Sequence, residues 1–382
     1  MKIVILGGDG YLGWPMAMNL SYLGHEVLIL DSYIKRKISL ACNSSSLIVI
    51  SKLELRTKVF QSIFNRKIDY KICDCSDYES LSSIFDIFQP DAVIHFAEQP
   101  SAPYSMTGYR EAKFTLENNL GTTFALIWSV IHKAPNAHII KLGTMGEYGT
   151  PNIDIEEGWL NIVHKGRTEK FLYPRQAGSL YHTSKVLDTD LLWFYVRMYG
   201  LRVTDLMQGP VYGILTEESL VDDRLLTSFH YDDIFGTVVN RFLTQVVAGI
   251  PMTVYGDGGQ TRGYLNIKDT LQCIGLALNF PPEKGEFRVL NQFTETFTVS
   301  EIADKIFRAA KTLGLNPSIK SIENPRVEKE SHYYNVQHTG LLDLGLKPNF
   351  MNEHTIIELL EKISKYKKLI QPDRIMPRVN WR

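Results

Sequence analysis

The chain has 382 residues, of which 44% are hydrophobic and 22% charged, and its formal net charge is -1. This length allows two or three domains at about 150 residues each, with a sizeable core. Near neutrality argues against nucleic-acid binding, which needs a basic surface. The four cysteines are too few for a disulfide scaffold and lack zinc-ligand spacing, so we expect no metal site and a reducing, cytoplasmic environment.

The apolar runs of the sequence are short. None reaches the roughly 18 residues that a membrane span requires. Residues 1–6 lead directly into a glycine-rich turn, with no basic segment or cleavage site of a signal peptide. We therefore expect no membrane anchor, no secretion signal and no transit segment.

Short apolar runs alternate with helical patterns through the first half of the chain. The apolar runs predict strands at residues 2–6, 26–31, 69–73, 92–96, 138–142 and 202–207. Helical patterns lie at residues 11–23, 78–88, 110–132 and 179–199. This alternation is typical of βαβ units, so we predict an α/β fold with a Rossmann-type, doubly wound parallel sheet.

The second half of the chain is less regular. We predict helices at residues 236–248, 267–278, 298–313 and 354–369, and strands at 252–255 and 286–290. We expect residues 1–207 to form the sheet domain, with 236–275 returning to it. Residues 208–235 and 276–382 then form most of a smaller, mixed α/β lobe. Residues 151–176 show no period, and a loop of that length is usually functional, for example as a lid.

Three glycines lie between the first strand and the first helix. Gly7 permits a tight turn, Gly10 lets the backbone approach a pyrophosphate, and Gly13 lets the helix pack closely on the strand. The pyrophosphate then meets free N–H groups at the helix start. This strand–turn–helix context predicts a dinucleotide site, and the alternative is a glycine-rich turn without a ligand.

Asp31 ends the second strand near the spacing expected for a ribose-binding carboxylate. Such a group repels a 2′-phosphate and favours NAD over NADP as the cofactor, whereas Lys35 and Arg36 point the other way. Asp74 is a candidate contact for the adenine edge or, alternatively, an ordinary helix N-cap. Further candidate cofactor contacts are Tyr11, Leu12, Arg36, Cys75, Ala97, Asn119, Gln208 and Val211.

Tyr181 and Lys185 are four residues apart and share one face of a predicted helix. A tyrosine with a pKa of about 10 is a poor base at neutral pH. A nearby ammonium and a nicotinamide cation lower that pKa, so Tyr181 can take a proton from a sugar hydroxyl while hydride leaves the carbon. Thr144, at the end of the fifth strand, is expected to hydrogen-bond the same oxygen. The alternative places Tyr181 and Lys185 on an ordinary surface helix.

These motifs carry a family resemblance. The glycine motif, Asn119-Leu-Gly-Thr122, Thr144 and the Tyr181/Lys185 pair resemble the extended short-chain dehydrogenases/reductases, which act on nucleotide sugars. Longer blocks resemble the family of UDP-sulfoquinovose synthases over nearly the whole chain, at residues 98–106, 141–158, 259–264, 324–328, 332–335 and 375–377. The resemblance implies NAD that stays bound through turnover. It also implies a homodimer, formed around residues 110–132 and 179–199.

The resemblance also implies a reaction between UDP-glucose and sulfite, in an enzyme that is classed with the hydrolases of carbon–sulfur bonds. Tyr181 assists oxidation at C4 of the glucose, and the ketone acidifies the C5 proton. Loss of that proton and of the C6 hydroxyl gives an unsaturated ketone. Sulfite adds at C6, and the hydride returns to C4.

The C5 and C6 steps need a second acid–base group. His182 is one candidate, because an imidazole exchanges protons near neutral pH, and its alternative is a histidine packed against the sheet. Glu147 is another, and its alternative is a buried structural carboxylate. Met145 and Gly146 occupy the positions at which sugar 4,6-dehydratases carry an acid pair, which argues against that reaction.

Arginines suit the two phosphates of UDP, and the resemblance places Arg262 and Arg326 there. Further candidate substrate contacts are Ser101, Thr144, Gln208, Asn240, Tyr255 and Gln260. Pro100 stands where the family pattern has an arginine that could hold sulfite. Another cation, such as Arg110, Lys165 or Arg167, or a partner protein that delivers the sulfur, would then take over that role.

Two other functions remain open at this point. One is a UDP-sugar 4-epimerase or 4,6-dehydratase on the same scaffold. The other is a catalytically silent NAD-binding regulator, although such relatives usually lose the Tyr/Lys pair that this chain retains.

Overall fold

Seven parallel strands form the central sheet of this computed structural model, which describes residues 1–326, 332–377 and 379. The strands of the molecule are β1 (Lys2–Leu6), β2 (Glu26–Asp31), β3 (Ile68–Ile72), β4 (Ala92–His95), β5 (His138–Thr144), β6 (Trp159–His164), β7 (Arg167–Leu172), β8 (Arg202–Gln208), β9 (Val211–Tyr212), β10 (Met252–Tyr255), β11 (Thr261–Asn266), β12 (Phe287–Gln292), β13 (Glu295–Thr298) and β14 (Ile319–Ile322). The large sheet has the order β12-β8-β5-β4-β1-β2-β3, with parallel pairing throughout. The predicted Rossmann-type fold is confirmed.

Helices cover both faces of this sheet. The helices of the molecule are α1 (Gly13–Tyr22), α2 (Ile34–Ala41), α3 (Leu53–Phe64), α4 (Tyr78–Phe88), α5 (Ala102–Ser105), α6 (Tyr109–Lys133), α7 (Leu180–Tyr199), α8 (Glu217–Val221), α9 (Val238–Ala248), α10 (Ile267–Asn279), α11 (Val299–Thr312), α12 (Gly340–Asp343) and α13 (Glu353–Ser364). Apolar side chains of α4, α6 and α7 form the core on one face, and those of α1, α3 and α10 form it on the other. The inner strands are apolar at nearly every position because both of their faces are buried.

The strand order reverses next to β1. The chain runs from β1 through β2 to β3 on one side, and then returns to place β4 on the other side of β1. Loops that follow β1 and β4 diverge at this point and leave a crevice at the carboxyl edge of the sheet. The glycine turn follows β1, and residues 96–99 follow β4, so both lie at the crevice.

A third core lies outside the large sheet. It joins α9, α11 and α13 with the small parallel sheet β10-β14, and the three-stranded sheet β13-β11-β9 lies beside it. Helix α11 begins with a capping box, in which the side chains of Thr298 and Glu301 accept hydrogen bonds from each other's backbone N–H groups. The expected domain division at residue 207 stays a prediction. Strand β12 completes the large sheet, and α9 packs on α11 and α13.

Residues 151–176 are not the unstructured loop that the sequence predicted. They contain the antiparallel hairpin β6-β7, whose turn at Lys165 and Gly166 has positive φ angles of 48° and 75°. The segment is anchored at its base, because Glu157 accepts hydrogen bonds from the backbone N–H groups of Asn291 (2.7 Å) and Gly340 (3.0 Å). The predicted lack of structure is therefore wrong. Helices α2 and α3 and strands β11, β13 and β14 are also additions to the predicted elements.

Within the described part of the chain, no helix is both long and apolar enough to cross a lipid bilayer.

Candidate active site

The glycine turn after β1 is shaped by close backbone contacts. Gly7 has a φ of +81°, and a Cβ atom there would lie 2.7 Å from the backbone nitrogen of Ala97. A Cβ on Gly13 would lie 2.3 Å from the carbonyl oxygen of Gly7. The first turn of α1 has no side-chain cap; the N–H groups of Trp14 and Met16 donate to the carbonyls of Gly10 (3.3 Å) and Leu12 (3.1 Å). The predicted strand–turn–helix geometry is therefore present, and the binding of a pyrophosphate there stays a prediction.

Asp31 lies beside this turn at the end of β2. Its carboxylate accepts hydrogen bonds from the backbone N–H groups of Asp9 (2.9 Å) and Tyr33 (2.7 Å). Burial, followed by repulsion from the carboxylate of Asp9, raises the pKa of Asp31 to about 6. The position suits recognition of ribose hydroxyls.

The guanidinium of Arg36 forms its hydrogen bonds within the protein. It donates to both carboxylate oxygens of Asp9 (2.6 and 2.7 Å) and to the carbonyls of Ile50 (2.8 Å) and Ser51 (2.7 Å). Arg56, which the sequence analysis missed, is buried and pairs with the same Asp9. The charge of Arg36 is therefore compensated, which weakens the argument for a 2′-phosphate site. Its predicted cofactor contact stays a prediction.

One cavity of about 710 Å³ joins the predicted cofactor and substrate sites. The predicted site residues that line it are Gly7, Gly10, Tyr11, Leu12, Gly13, Asp31, Arg36, Asp74, Cys75, Ala97, Ser101, Thr144, Tyr181, Gln208, Val211 and Asn240. Those that lie outside its lining are Asn119, Glu147, His182, Lys185, Tyr255, Gln260, Arg262 and Arg326. Asp74 is not a helix cap, because Asp77 caps α4.

Two side chains at strand ends and one at a helix start converge on the cavity. Thr144 ends β5, and its hydroxyl accepts a hydrogen bond from the N–H of Gly146 (3.1 Å). Gln208 ends β8 and donates to Gln292 (3.2 Å) and Thr270 (3.3 Å). Tyr181 lies in the first turn of α7, where its N–H donates to the hydroxyl of Ser105 (3.0 Å). The hydroxyl of Thr144, the phenol of Tyr181 and the amide of Gln208 thus line the same cavity.

Lys185 lies behind the cavity wall, almost fully buried. Its ammonium donates to both carboxylate oxygens of Glu98 and lies 3.6 Å from Asp188. Glu98 lines the cavity, whereas Lys185 does not. The sequence analysis did not single out Glu98, because nothing in the sequence identifies Lys185 as its partner.

Asn119 is a structural link in the same region. Its amide donates to the carbonyl of Gln99 (3.2 Å) and to the hydroxyl of Ser184 (3.0 Å), and its carbonyl oxygen accepts from the N–H of Gln99 (2.8 Å). It therefore joins α6 to the loop after β4 and to α7.

The two candidate acid–base groups differ in their surroundings. Glu147 is fully buried, 3.3 Å from the ammonium of Lys141 and 3.5 Å from the guanidinium of Arg175, and it accepts from the N–H of Thr144. These contacts favour a structural role. The ring of His182 packs against Gly146, where a Cβ atom would lie 2.3 Å from Nε2. Burial, then the charges of Arg262 and Arg326, lowers the pKa of His182 to about 4.

A group of arginines lies on the lobe side of His182. Tyr255 accepts a hydrogen bond from Arg241 (2.7 Å), whose guanidinium stacks on its ring, and the guanidinium of Arg326 lies 6.0 Å from the same ring. Arg262 contacts His332 (3.2 Å). The buried Gln260 donates to the carbonyl of Tyr255 (3.4 Å). Arg241 was missed because it lies inside an amphipathic helix, and Val327 and Glu328 of the predicted block fall outside the described residues.

The remaining cavity contacts come from α2 and residues 226–237. Asn240 donates to the carbonyl of His230 (3.3 Å), and the hydroxyl of Ser101 donates to the carbonyl of Ile234. The ammonium of Lys35 lies over the ring of Phe235, 3.0 Å from its centroid, and burial lowers the pKa of Lys35 to about 7. Pro100 also lines the cavity, whereas the exposed side chains of Arg110, Lys165 and Arg167 do not.

The comparisons with known proteins agree with this geometry. Residues 3–291 match the NAD dependent epimerase/dehydratase family. The chain is 45% identical over 381 residues to the chloroplastic UDP-sulfoquinovose synthase of Spinacia oleracea, covering 100% of this chain and 79% of the relative. It is 42% identical over 385 residues to the UDP-sulfoquinovose synthase of Sulfolobus acidocaldarius, covering 100% of this chain and 98% of the relative.

Solved structures show the same fold at lower identity. A UDP-glucose-4-epimerase from Stenotrophomonas maltophila with bound NAD superposes with a TM-score of 0.73 at 18% identity, covering 96% of this chain and 98% of the other. The full-length matches and the shared fold together place the chain in the NAD dependent epimerase/dehydratase family and, within it, among the UDP-sulfoquinovose synthases.

Proposed function

We propose that this chain makes UDP-sulfoquinovose from UDP-glucose and sulfite, with NAD as a retained cofactor. The observation that carries the proposal is the single cavity that brings the glycine turn together with Thr144 and Tyr181, in a chain that matches two UDP-sulfoquinovose synthases over its whole length. In the balanced reaction, the C6–O bond breaks, water leaves, and a C6–S bond forms to hydrogen sulfite. No external oxidant or reductant is needed.

The residues around the glycine turn fit a dinucleotide. The first turn of α1 would hold the pyrophosphate, Asp31 the adenosine ribose, and Asp74 and Cys75 the adenine side. When bound, NAD supplies a hydride acceptor for C4 and later returns the hydride. Lys35 also lines the cavity, and because its pKa is lowered to about 7 it adds a positive charge there mainly below pH 7.

Tyr181 is the proposed base for the C4 hydroxyl, with Thr144 holding the same oxygen. In the structure, burial and then the charge of Glu98 raise the pKa of Tyr181, so the phenol keeps its proton in the absence of added positive charge. The ammonium of Lys185 and a nicotinamide cation would favour the phenolate.

Fewer residues can be proposed for the steps at C5 and C6 and for the binding of UDP and sulfite. His182 is the proposed proton carrier for C5 and C6, because it is held by Ser179 (3.0 Å) next to Tyr181. Arg262, Arg326 and Arg241 are the proposed contacts for the diphosphate of UDP. For sulfite, the proposed contact is Lys35, which lines the cavity and is protonated below its pKa of about 7. Delivery of the sulfur by a partner protein would need no cation there.

We also propose a homodimer formed through α6 and α7. The two helices pack against each other and expose connected apolar side chains, including Phe124, Phe194, Met198 and Tyr199, each between 46% and 56% exposed. A second copy of the chain would cover this surface.

Mass spectrometry of the nucleotide sugars tests the proposed reaction. We expect a sulfonated UDP-hexose when the protein is incubated with UDP-glucose and sulfite, and none with Tyr181→Phe. UDP-galactose or a stable keto sugar, with no sulfonate, would point to an epimerase or a dehydratase instead. A sulfonate that forms only with an added protein fraction would identify a partner as the sulfur donor.

A further inference from the structure

The strongest unassigned feature of the site is the carboxylate of Glu98. It reaches the cavity from the loop after β4 and holds the ammonium of Lys185 with both oxygens, and its side chain is 7% exposed. Lys185 lies deeper and does not line the cavity. The carboxylate therefore stands between the ammonium and the space in which a substrate would lie.

The groups around this pair come from several elements. His95, at the end of β4, lies 3.5 Å from Glu98 and is held neutral, because burial and the charges of Lys185 and Lys141 keep its pKa well below 6.5. Asp188 is fully buried, and burial followed by repulsion from Glu98 raises its pKa to about 8. Asp188 therefore holds its proton more tightly than an ordinary carboxyl, and Glu98 is the carboxylate that contacts the ammonium with both oxygens.

Tyr181 experiences this arrangement directly. The titratable groups that face it are Glu98 after β4, Lys141 in β5, Glu147 after β5, and His182, Lys185 and Asp188 in its own helix. Of the charges that raise the pKa of Tyr181, that of Glu98 has the largest effect after burial itself. The charge of Lys141 lowers the pKa of Tyr181, whereas the ammonium of Lys185 is held in its ion pair with Glu98.

We propose that Glu98 is a positioning residue for the oxidation of the sugar: it holds the charge of Lys185 in an ion pair and keeps the Tyr181 phenol protonated until further positive charge enters the cavity. The inference rests on the proposed function only in requiring that Tyr181 act as a base at C4. It assigns no bond-making step to Glu98 itself.

The proposed role predicts the direction in which the pKa of Tyr181 changes when Glu98 is replaced. Removing the negative charge of Glu98 leaves the nearby positive charge less compensated, which favours the phenolate. The pKa of Tyr181 then falls, and oxidation of the sugar starts at lower pH. Asp188, 3.6 Å from the same ammonium, can pair with it when Glu98 is lost, and its charge raises the pKa of Tyr181 less than that of Glu98 does, so the predicted direction is kept.

The test compares Glu98→Gln with Asp188→Asn, which alters the other carboxylate beside the same ammonium. The first half-reaction is followed as NADH absorbance after mixing the NAD-loaded protein with UDP-glucose, without sulfite, across pH 6 to 10. We expect the acidic limb for Glu98→Gln to move down by about one pH unit. Asp188→Asn should move it by less than half as much, because the charge of Asp188 affects the pKa of Tyr181 less than that of Glu98 does.

A second readout needs no activity. The ultraviolet titration of each variant, minus that of the same variant with Tyr181→Phe, isolates one phenol and should show the same shift. Glu98→Asp should restore the wild-type limb at least in part. A lower rate with an unmoved limb, or equal shifts in both variants, would overturn the proposal. If the wild-type protein forms NADH but no sulfonate, the proposed overall reaction is wrong. The pH dependence of NADH formation can still be measured and still tests the role of Glu98.

Discussion

The ammonium of Lys141 lies 3.3 Å from the carboxylate of Glu147 and 3.2 Å from that of Asp205, and all three side chains are fully buried. Glu147 also accepts from the N–H of Thr144 (3.2 Å). This buried cluster therefore fixes the end of β5 and, with it, the threonine that faces the cavity.

Loss of the cation from this cluster should be costly. Lys141→Met leaves two buried carboxylates without their ammonium, and breaking a buried pair in this way costs about 3–5 kcal/mol. We expect a loss of that order in the free energy of unfolding, measured by urea denaturation. Lys58→Met, which removes an exposed ion pair with Glu54, is the matched control and should cost less than about 1 kcal/mol.

The same contacts predict how Glu147 affects activity. If its role is structural, Glu147→Gln lowers thermal stability but reduces kcat of the folded protein by less than about tenfold. Tyr181→Phe, which removes a proton-transfer group, should reduce kcat by about 100-fold or more. Similar losses in both variants, at temperatures where both are folded, would assign Glu147 to the chemistry.

Asp31 should show a trade between stability and cofactor binding. Its pKa is raised to about 6 in the folded protein, so above pH 6 its ionised form opposes folding. The protonated carboxyl of Asp31 does not oppose folding, so its full stability is present below the unfolded pKa near 4 and is lost as the pH rises through 6. Asp31→Asn should raise the melting temperature at pH 8 more than at pH 5, and weaken retention of NAD. An equal shift at both pH values would contradict this account.

We expect replacement of Arg36 to have little effect on the preference for NAD over NADP. Because its guanidinium is already paired with Asp9 and two carbonyls, Arg36→Met should leave the preference for NAD over NADP unchanged within about threefold. Binding of both dinucleotides can be measured by fluorescence quenching. A larger change in the preference would show that Arg36 contacts the adenosine ribose.

The proposed subunit contact gives a further prediction. Phe124 packs on the rings of Trp128 and Tyr195 within the exposed surface of α6 and α7. Phe124→Glu should convert a dimer to a monomer in sedimentation velocity experiments, whereas Leu220→Glu, which changes an exposed side chain on α8, should not. A wild-type monomer at micromolar concentration would contradict the proposed interface.

The sequence predicted the large sheet well because its strands are buried on both faces. Such strands appear as apolar runs, of which β1 and β4 are the clearest. Polar residues interrupt β5 at Lys141 and β8 at Thr204 and Asp205. The hairpin β6-β7 is exposed on both faces and lacks alternation, so only its Lys165-Gly166 turn could have identified it.

The polar part of the site was harder to predict. The glycine turn, Thr144 and Tyr181 follow from local spacing. The pairings of Arg56 with Asp9 and of Lys185 with Glu98 join residues 47 and 87 positions apart, so neither pair could be read from a local pattern. These long-range pairs decide which charges face the cavity, and therefore how Tyr181 and Asp31 titrate.

The most direct test of the account follows one carbon atom. UDP-glucose labelled with ¹³C at C6 is incubated with the NAD-loaded protein and sulfite, and the C6 signal is followed by NMR. The account predicts that a hydroxymethyl carbon becomes a methylene bonded to sulfur, with Tyr181→Phe leaving it unchanged. A C6 that remains a hydroxymethyl in UDP-galactose, or becomes the methyl of a 4-keto-6-deoxy sugar, would contradict the proposed carbon–sulfur chemistry.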